Sequence, residues 1–385
     1  MSYLQTLFHV KHNAPARPCR LALLPSLLFV VLLTGTACAA VRGADGWAQP
    51  VSIPGANVLI VQTDSGVISA LQLSDGNAIE LWRYPGDDDD IDLNAVYARP
   101  IIDGDTLYVA SYNGDIVALN LRESEQRRTA VVRWGPTDVG DHIVATPAYR
   151  NGSLYVATEA GDVIIVDAES GVVGETLLDS SDRIWAALTV DSSRIYVATL
   201  NGQLRAIDRS GNEVRWGLDV GAVGGDPQID GDLLFVPSFD RKLHALDLTT
   251  PDGNEVWAAS GDAWFWARPL PVGDTVYAAT VGGSVYAFDR NTGNERWRFH
   301  DADSEFRTVP VLAGGVLVIA SFSGDLFGID PTTGNQLWTR SIDGARFLAD
   351  PLVLQSGNIA YVDNDGKLRQ VTPSTGDIRL LFEPQ

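Results

Sequence analysis

Gly66-Val67-Ile68-Ser69-Ala70-Leu71-Gln72 and Gly114-Asp115-Ile116-Val117-Ala118-Leu119-Asn120 share one pattern: a glycine, a short apolar-rich run, and an amide or acid six residues on. The pattern recurs from Gly161 to Asp167, Gly202 to Asp208, Arg241 to Asp247, Gly283 to Asp289, Gly324 to Asp330 and Gly366 to Thr372. The eight copies are spaced by 48, 47, 41, 39, 42, 41 and 42 residues. A period near forty built from short β-type runs means repeated small sheets, not a catalytic α/β domain.

Working outward from that run, each repeat has four pieces. A Pro-led segment comes first, as in Pro100-Ile101-Ile102 and Pro310-Val311-Leu312. A β-rich run follows, as in Leu107-Tyr108-Val109-Ala110 and Ile195-Tyr196-Val197-Ala198. A tight turn leads to the third piece; Asn113-Gly114, Asn201-Gly202 and Asp365-Gly366 suit it, because its central residues need positive φ. A Thr-Gly or Ser-Gly turn then leads to a fourth piece carrying Trp82, Trp134, Trp216, Trp257, Trp297 or Trp338, with Leu177 and Leu380 in the matching slots of repeats three and eight. Four short antiparallel strands per repeat make a propeller blade. The expectation is therefore all-β: an eight-bladed β-propeller of four-stranded antiparallel blades over residues 46–385, one domain, with almost no helix. Closure should bring Trp47-Ala48-Gln49-Pro50 near Ile378–Phe382.

Residues 1–38 read differently. Lys11, Arg17 and Arg20 precede an apolar run from Leu21 to Leu33, then small residues up to Cys38. This is the grammar of an export signal, and the run is short for a membrane span. Gly35-Thr36-Ala37-Cys38 resembles a lipobox, with Gly35 where leucine is usual; Cys38 would then be acylated and anchor the chain as a lipoprotein. The alternative is cleavage after Ala39, giving a soluble periplasmic or secreted protein. The two cysteines, Cys19 and Cys38, both fall in this region, so the mature fold holds by packing without disulfides.

The formal charge is -21, from 49 acids against 28 bases, which argues against a nucleic-acid partner. The histidines after the signal, His142, His244 and His300, lack metal-ligand spacing, and no nucleophile or phosphate-loop motif is present, so no catalytic residue is assigned. Asp88, Asp90 and Asp92 alternate in an acidic run and are weak calcium candidates, with a solvated charge run as the stronger reading.

Ala287-Phe288-Asp289-Arg290-Asn291-Thr292-Gly293-Asn294-Glu295-Arg296-Trp297 resembles the tryptophan-docking motif A-x-D-x-x-T-G-x-x-x-W of pyrroloquinoline-quinone-type propellers, and Gly328 to Trp338 repeats it with Gly for Ala. The resemblance covers nearly all of the mature chain. It implies that the six tryptophans are structural, each filling a slot between blades. Within that family, quinoprotein dehydrogenases would imply bound quinone, calcium and a vicinal cysteine pair, which this chain lacks. The group of the outer-membrane-assembly lipoprotein BamB fits better in length and blade number. It implies a non-enzymatic, lipid-anchored scaffold with protein partners at the cell envelope, no cofactor, and a monomer. An oxidoreductase using the quinone, or the propeller module of an envelope sensor, is the alternative.

The segment before each leading proline is where the repeats stop copying one another. Two residues before it stand small residues (Ala48, Ala98, Ala145, Ala186, Gly225, Ala267, Thr308, Ala349), as crowding near a central channel requires. The odd positions share the other side by two-residue alternation and carry Trp47, Tyr97, Trp185, Trp266 and Arg307 three before, and Arg99 and Arg268 one before. Together with Trp264 these form the candidate partner or ligand face, since Trp, Tyr and Arg dominate binding hot spots; packing between blades is the competing reading.

Overall fold

The computed structural model describes residues 46–384 except 65, 75, 88, 209–215 and 217. Eight four-stranded sheets follow one another, each with its strands in sequence order: blade 1 from Val51 to Tyr84, blade 2 from Ile101 to Asp138, blade 3 from Ala148 to Asp179, blade 4 from Thr189 to Asp219, blade 5 from Gln228 to Ser260, blade 6 from Leu270 to His300, blade 7 from Val311 to Ser341 and blade 8 from Leu352 to Phe382. All pairings are antiparallel; in blade 6 Tyr277 lies opposite Leu270 on one side and Ala287 on the other. The expected eight-bladed propeller is thus the fold. Residues 1–45, including Cys38, lie outside the described residues, as does Asp88.

Blade faces are apolar, and the core is a ring of eight buried clusters, one at each blade-to-blade interface. Ile60, Trp82 and Tyr84 of blade 1 meet Leu107, Val109 and Val117 of blade 2. The last cluster closes the circle: Leu59, Val61 and Leu71 of blade 1 pack against Ala360, Val362 and Leu368 of blade 8. At about 1.5–3 kcal/mol per fully buried large apolar side chain, each seam is substantial. The closure differs from expectation in one respect. The last strand, Ile378–Phe382, meets the outermost strand of blade 1, Asn77–Tyr84, across a surface groove. Trp47 and Gln49 instead line the central channel. The propeller begins with the inner strand of blade 1 and closes with the outer strand of blade 8, so its first and last strands belong to neighbouring blades without lying side by side.

The tryptophans dock as the motif implies. The indole N–H of Trp134, Trp216, Trp257, Trp297 and Trp338 donates to a turn carbonyl of the next blade, respectively Ala168, Pro251, Arg290, Pro331 and Pro373, at 2.7–3.0 Å. The turn glycine above each ring cannot be replaced cheaply: a Cβ on Gly334 would fall 2.7 Å from the Trp297 ring. In blades 3, 5, 6 and 7 the aspartate that opens the turn caps it. Asp289 Oδ1 accepts from the Asn291 and Thr292 amides, and the Arg296 guanidinium on its other oxygen, together with these bonds, holds its carboxyl down to about 2.

Three departures are local. Blade 2 carries a helix, Leu121–Arg127, where other blades have the turn, and Asn120 caps it by accepting from the Glu123 amide. Trp82 therefore packs against Leu121 without a turn carbonyl, and its indole N–H has no hydrogen-bond partner among the described residues. In blade 8 Leu380 does not take the tryptophan slot. The bulge there falls between Leu368 and Arg369, two residues earlier in the third strand than in blades 6 and 7, so Arg379 pairs with Gln370 where the tryptophan would stand, Leu380 is 47% exposed and Leu381 is buried. The Arg379 guanidinium fills the space over the Gly76 turn.

Candidate functional site

The site follows from how the chain reaches each inner strand. Five residues before the leading position of blades 2 to 8, a backbone carbonyl accepts from the hairpin between the second and third strands. Ala95 O accepts from Tyr112 N at 2.8 Å, Ala222 O from Phe239 N at 2.8 Å, Trp264 O from Val281 N at 3.0 Å and Glu305 O from Phe322 N at 2.7 Å. These bonds fix that level at the mouth of the channel, on the hairpin face. At roughly 3.3 Å per extended residue, the position three before lies about 7 Å deeper, and the position one before about 7 Å deeper again. The channel therefore has three levels, and its lower two are lined by the alternate residues read from sequence: Trp47, Tyr97, Trp185, Trp266 and Arg307 above Gln49, Arg99, Arg268, Asp226 and Asp350. The space they line, counting the part that is open solvent, is about 730 Å³. The residues four before, Val96, Ile143, Ile184, Val223, Phe265, Phe306 and Phe347, are fully buried on the opposite side. Those two before are small because the next blade's backbone lies against them; a Cβ on Gly225 would sit 2.1 Å from the Trp266 carbonyl oxygen.

Around the mouth, aromatic rings join into a belt. Trp47 packs on Tyr97 (4.3 Å between centroids), Tyr97 on Tyr112 (5.4 Å), and Tyr112 stacks on His142 (4.4 Å). Across the channel Phe239 stacks on both Trp264 (5.0 Å) and Trp266 (5.3 Å). Arg307 lies over Trp266 and Phe322, at 5.4 and 4.5 Å, while Nε donates to Glu305 at 2.7 Å. Arg346 also lies over Phe322, at 5.6 Å. Glu159 takes the Tyr112 hydroxyl at 3.3 Å, the Trp185 indole at 3.4 Å and Arg183 at 3.7 Å. Tyr97, Trp185 and Arg307 are buried within this belt, so they support the face more than they present themselves; Trp47, Trp264 and Trp266 keep part of their surface open. The hairpin residues Tyr112, Phe239, Phe322 and Glu159 belong to the site and were not singled out from sequence. Their signal was positional: each immediately follows the small polar residue that ends a second strand.

The deepest level is charged. Arg99 in blade 2 and Arg268 in blade 6 stand four blades apart, on opposite sides of an eight-bladed ring. Asp226 Oδ1 accepts the Ala187 amide at 2.8 Å, Asp350 Oδ1 the Val309 amide at 2.9 Å, and Thr146 Oγ1 the Arg99 amide at 2.9 Å. Each of these acceptors comes from the next blade and satisfies an inner-strand N–H that has no strand beside it, so the two aspartates staple the ring. Burial pushes the Asp350 carboxyl up to about 6, with Asp226 adding to the rise and Arg268, the Val309 amide and Arg99 opposing it. Burial, then the like charge of Arg268, lowers the Arg99 guanidinium.

Of the calcium candidates, Asp88 lies outside the described residues. Asp92 Oδ1 accepts the Asn94 amide at 2.7 Å in a turn, and Asp90 is exposed. No group of three or more His, Cys, Asp or Glu among the described residues could hold a metal ion. The vicinal cysteine pair that a quinone site of this repeat type would imply is not in the sequence, whose cysteines are Cys19 and Cys38. Asp262, Ser284 and His300 cluster in blade 6, but the serine lies between the acid (2.6 Å) and the imidazole (2.9 Å), the wrong order for activating a nucleophile. No helix among the described residues is long and apolar enough to cross a membrane.

Fold and channel define a class: an eight-bladed, tryptophan-docked β-propeller whose variable residues converge on one mouth of its axis. The chain belongs to the family of outer membrane protein assembly factor BamB, whose profile matches residues 38–177, 174–263 and 248–380. Among curated relatives, BamB of Nitrosomonas eutropha is 28% identical over 165 residues, 40% of this chain and 38% of that one. BamB of Yersinia pestis is 26% identical over 262 residues, 65% and 63% respectively, so the matches span less than two thirds of either relative. A serine/threonine-protein kinase, AfsK of Streptomyces griseus, is 28% identical over 263 residues, 56% of this chain and 31% of the kinase. The crystal structure of BamB from Moraxella catarrhalis superposes with a TM-score of 0.68 at 19% identity, covering 88% of this chain and 95% of that one. The computationally designed Ika8 protein scores 0.69 at 10% identity, over 88% and 98%, so such likeness carries the fold alone.

Proposed function

We propose that this protein is an exported, lipid-anchored, non-catalytic scaffold that holds an envelope protein at the channel mouth, in the manner its family name implies for outer-membrane assembly. One observation carries the reading: the blade motif repeats around the ring, whereas the residues that differ between blades, Trp47, Trp264, Trp266 and Arg346 among them, converge on one face. Exposed aromatic and arginine groups on a rigid rim are what a protein partner's hot spots pair with. Anchoring follows from the Cys38 lipobox reading, and the acidic remainder of the surface keeps the anchored domain soluble. The kinase relative supports a second reading, in which the same propeller serves as the sensing module of a signalling system.

The test is co-purification of the full chain from its native envelope, beside the variant Trp264→Ala/Arg346→Ala. Recovery of outer-membrane assembly subunits with the parent, and their loss with a still-folded variant, supports the proposal. Recovery of a kinase or transporter in their place supports the second reading. Turnover of alcohols or sugars after addition of the quinone and calcium would overturn both.

A further inference from the structure

The deepest level of the channel holds a charge arrangement that partner docking at the mouth does not explain. Arg99 and Arg268 face each other across the axis, and each guanidinium makes one long side-chain bond: Arg99 Nη1 to Gln49 Oε1 at 3.5 Å, and Arg268 Nη1 to Gln228 Oε1 at 3.4 Å. Among the described residues, neither lies within ion-pair distance of a carboxylate, whereas Arg307 and Arg369 each hold one at 2.7 Å. The two aspartates at the same level each give one oxygen to a backbone amide of the neighbouring blade, and neither is within ion-pair distance of these arginines. Two five-donor forks are thus directed into a narrow, largely protein-walled space with their donors weakly used, an arrangement that costs free energy until an acceptor arrives. The mutual repulsion of the two arginines raises that cost, Asp226 and Asp350 offset part of it from the channel wall, and an anion between the guanidiniums would relieve the remainder. Immediately above stand aromatic rings on several sides, and the channel opens upward through them.

We infer that the channel is a receptor for a carboxylate carried on an apolar or aromatic body, with the carboxylate bridging Arg99 and Arg268 and the body held between the rings above. The C-terminus of an extended peptide and a free aryl-alkanoic acid both carry this chemistry. Charge-assisted, fork-type bonds favour a carboxylate over a neutral amide of the same shape, and aromatic walls favour a flat apolar body over a hydrophilic one. This site is independent of the assembly-factor reading, since a propeller of any function could carry it.

The experiment is calorimetric titration of the purified propeller at low salt with three probes: a hexapeptide ending in Phe with a free carboxylate, the same peptide amidated, and 3-phenylpropanoate. The expected result is saturable binding of the free acid, weakened at least tenfold by amidation and at least tenfold by Arg268→Gln, with the Arg99→Gln variant behaving alike. Gln keeps a donor of similar reach, and the melting temperature of each variant reports folding. The amidation arm needs no variant, so the inference remains testable if a variant fails to fold. Phenylpropanoate binding as tightly as the peptide identifies a small acid as the ligand; binding only as the peptide identifies a chain terminus. Equal binding of acid and amide, or absence of saturation by any probe up to millimolar concentration, overturns the inference.

Discussion

Replacing Asp350 with asparagine should stabilise this protein at neutral pH. Asp350 is held at the channel wall with most of its surface against protein and part of it open to channel water. Its carboxyl is raised to about 6 in the fold, against about 4 in an unfolded chain. The folded state therefore binds the proton more tightly than the unfolded state does. Stability from this group is greatest below about pH 4, declines as pH rises from 4 to 6, and stays low above that. A rise of that size corresponds to about 3 kcal/mol, and screening by channel water brings the working figure to about 1–3 kcal/mol. The asparagine side chain would keep an oxygen for the Val309 amide, now at 2.9 Å, and remove the charge. The Asp350→Asn variant should melt roughly 2–4 °C higher than the parent at pH 7.5 and at the same temperature at pH 4, read by scanning calorimetry at both pH values. Asp350→Ala, which strands the amide, should be less stable than Asp350→Asn at every pH. A gain for the asparagine variant that is the same at both pH values, or a loss at pH 7.5, would refute the reasoning.

The blade geometry yields further expectations. Gly334→Ala adds a Cβ 2.7 Å from the Trp297 ring at a backbone φ of +74° and should cost about 2–4 kcal/mol in a denaturant melt, while Trp297→Phe, which loses the bond to Pro331 O, should cost about 1–3 kcal/mol. Arg241 holds φ +71° in a hairpin where the other seven copies carry glycine, so Arg241→Gly should raise stability by about 0.5–1 kcal/mol in the same melt. Cys38→Ser should move the protein from the membrane to the soluble fraction on cell fractionation, and an unchanged membrane signal would favour another mode of attachment.

The parts of the fold legible in the sequence were those written once per repeat. Turn chemistry at Asn113-Gly114 or Thr333-Gly334 and the tryptophan two strands later are local signals, and eight copies made them legible. The alternation before each proline likewise divided buried Phe265 and Phe306 from channel-lining Trp266 and Arg307. What a single repeat could not reveal lies between repeats. Tyr112, Phe239 and Phe322 reach the site from hairpins, and Phe239 meets Trp264 and Trp266 of the next blade only because the ring brings blades 5 and 6 together. The stapling role of Asp226 and Asp350 was hidden for the same reason: the amides they satisfy are about forty residues away. The helix at Leu121–Arg127 had a local signal, Asn120 followed three residues later by Glu123, which the β-repeat pattern obscured. Leu380 misses the slot because the bulge comes two residues early in the third strand, which shifts the fourth strand by one residue and puts Arg379 there.

The central claim is that the channel mouth is the surface that holds an envelope partner. The most direct measurement is site-specific photo-crosslinking in the native cell. A photoreactive residue at exposed Arg346, on the mouth, is compared with one at Leu337, 53% exposed on the outer strand of blade 7. The account predicts a strong crosslink from position 346 to an outer-membrane assembly subunit and none from position 337. Crosslinks from 337 alone, or from both positions equally, would contradict it.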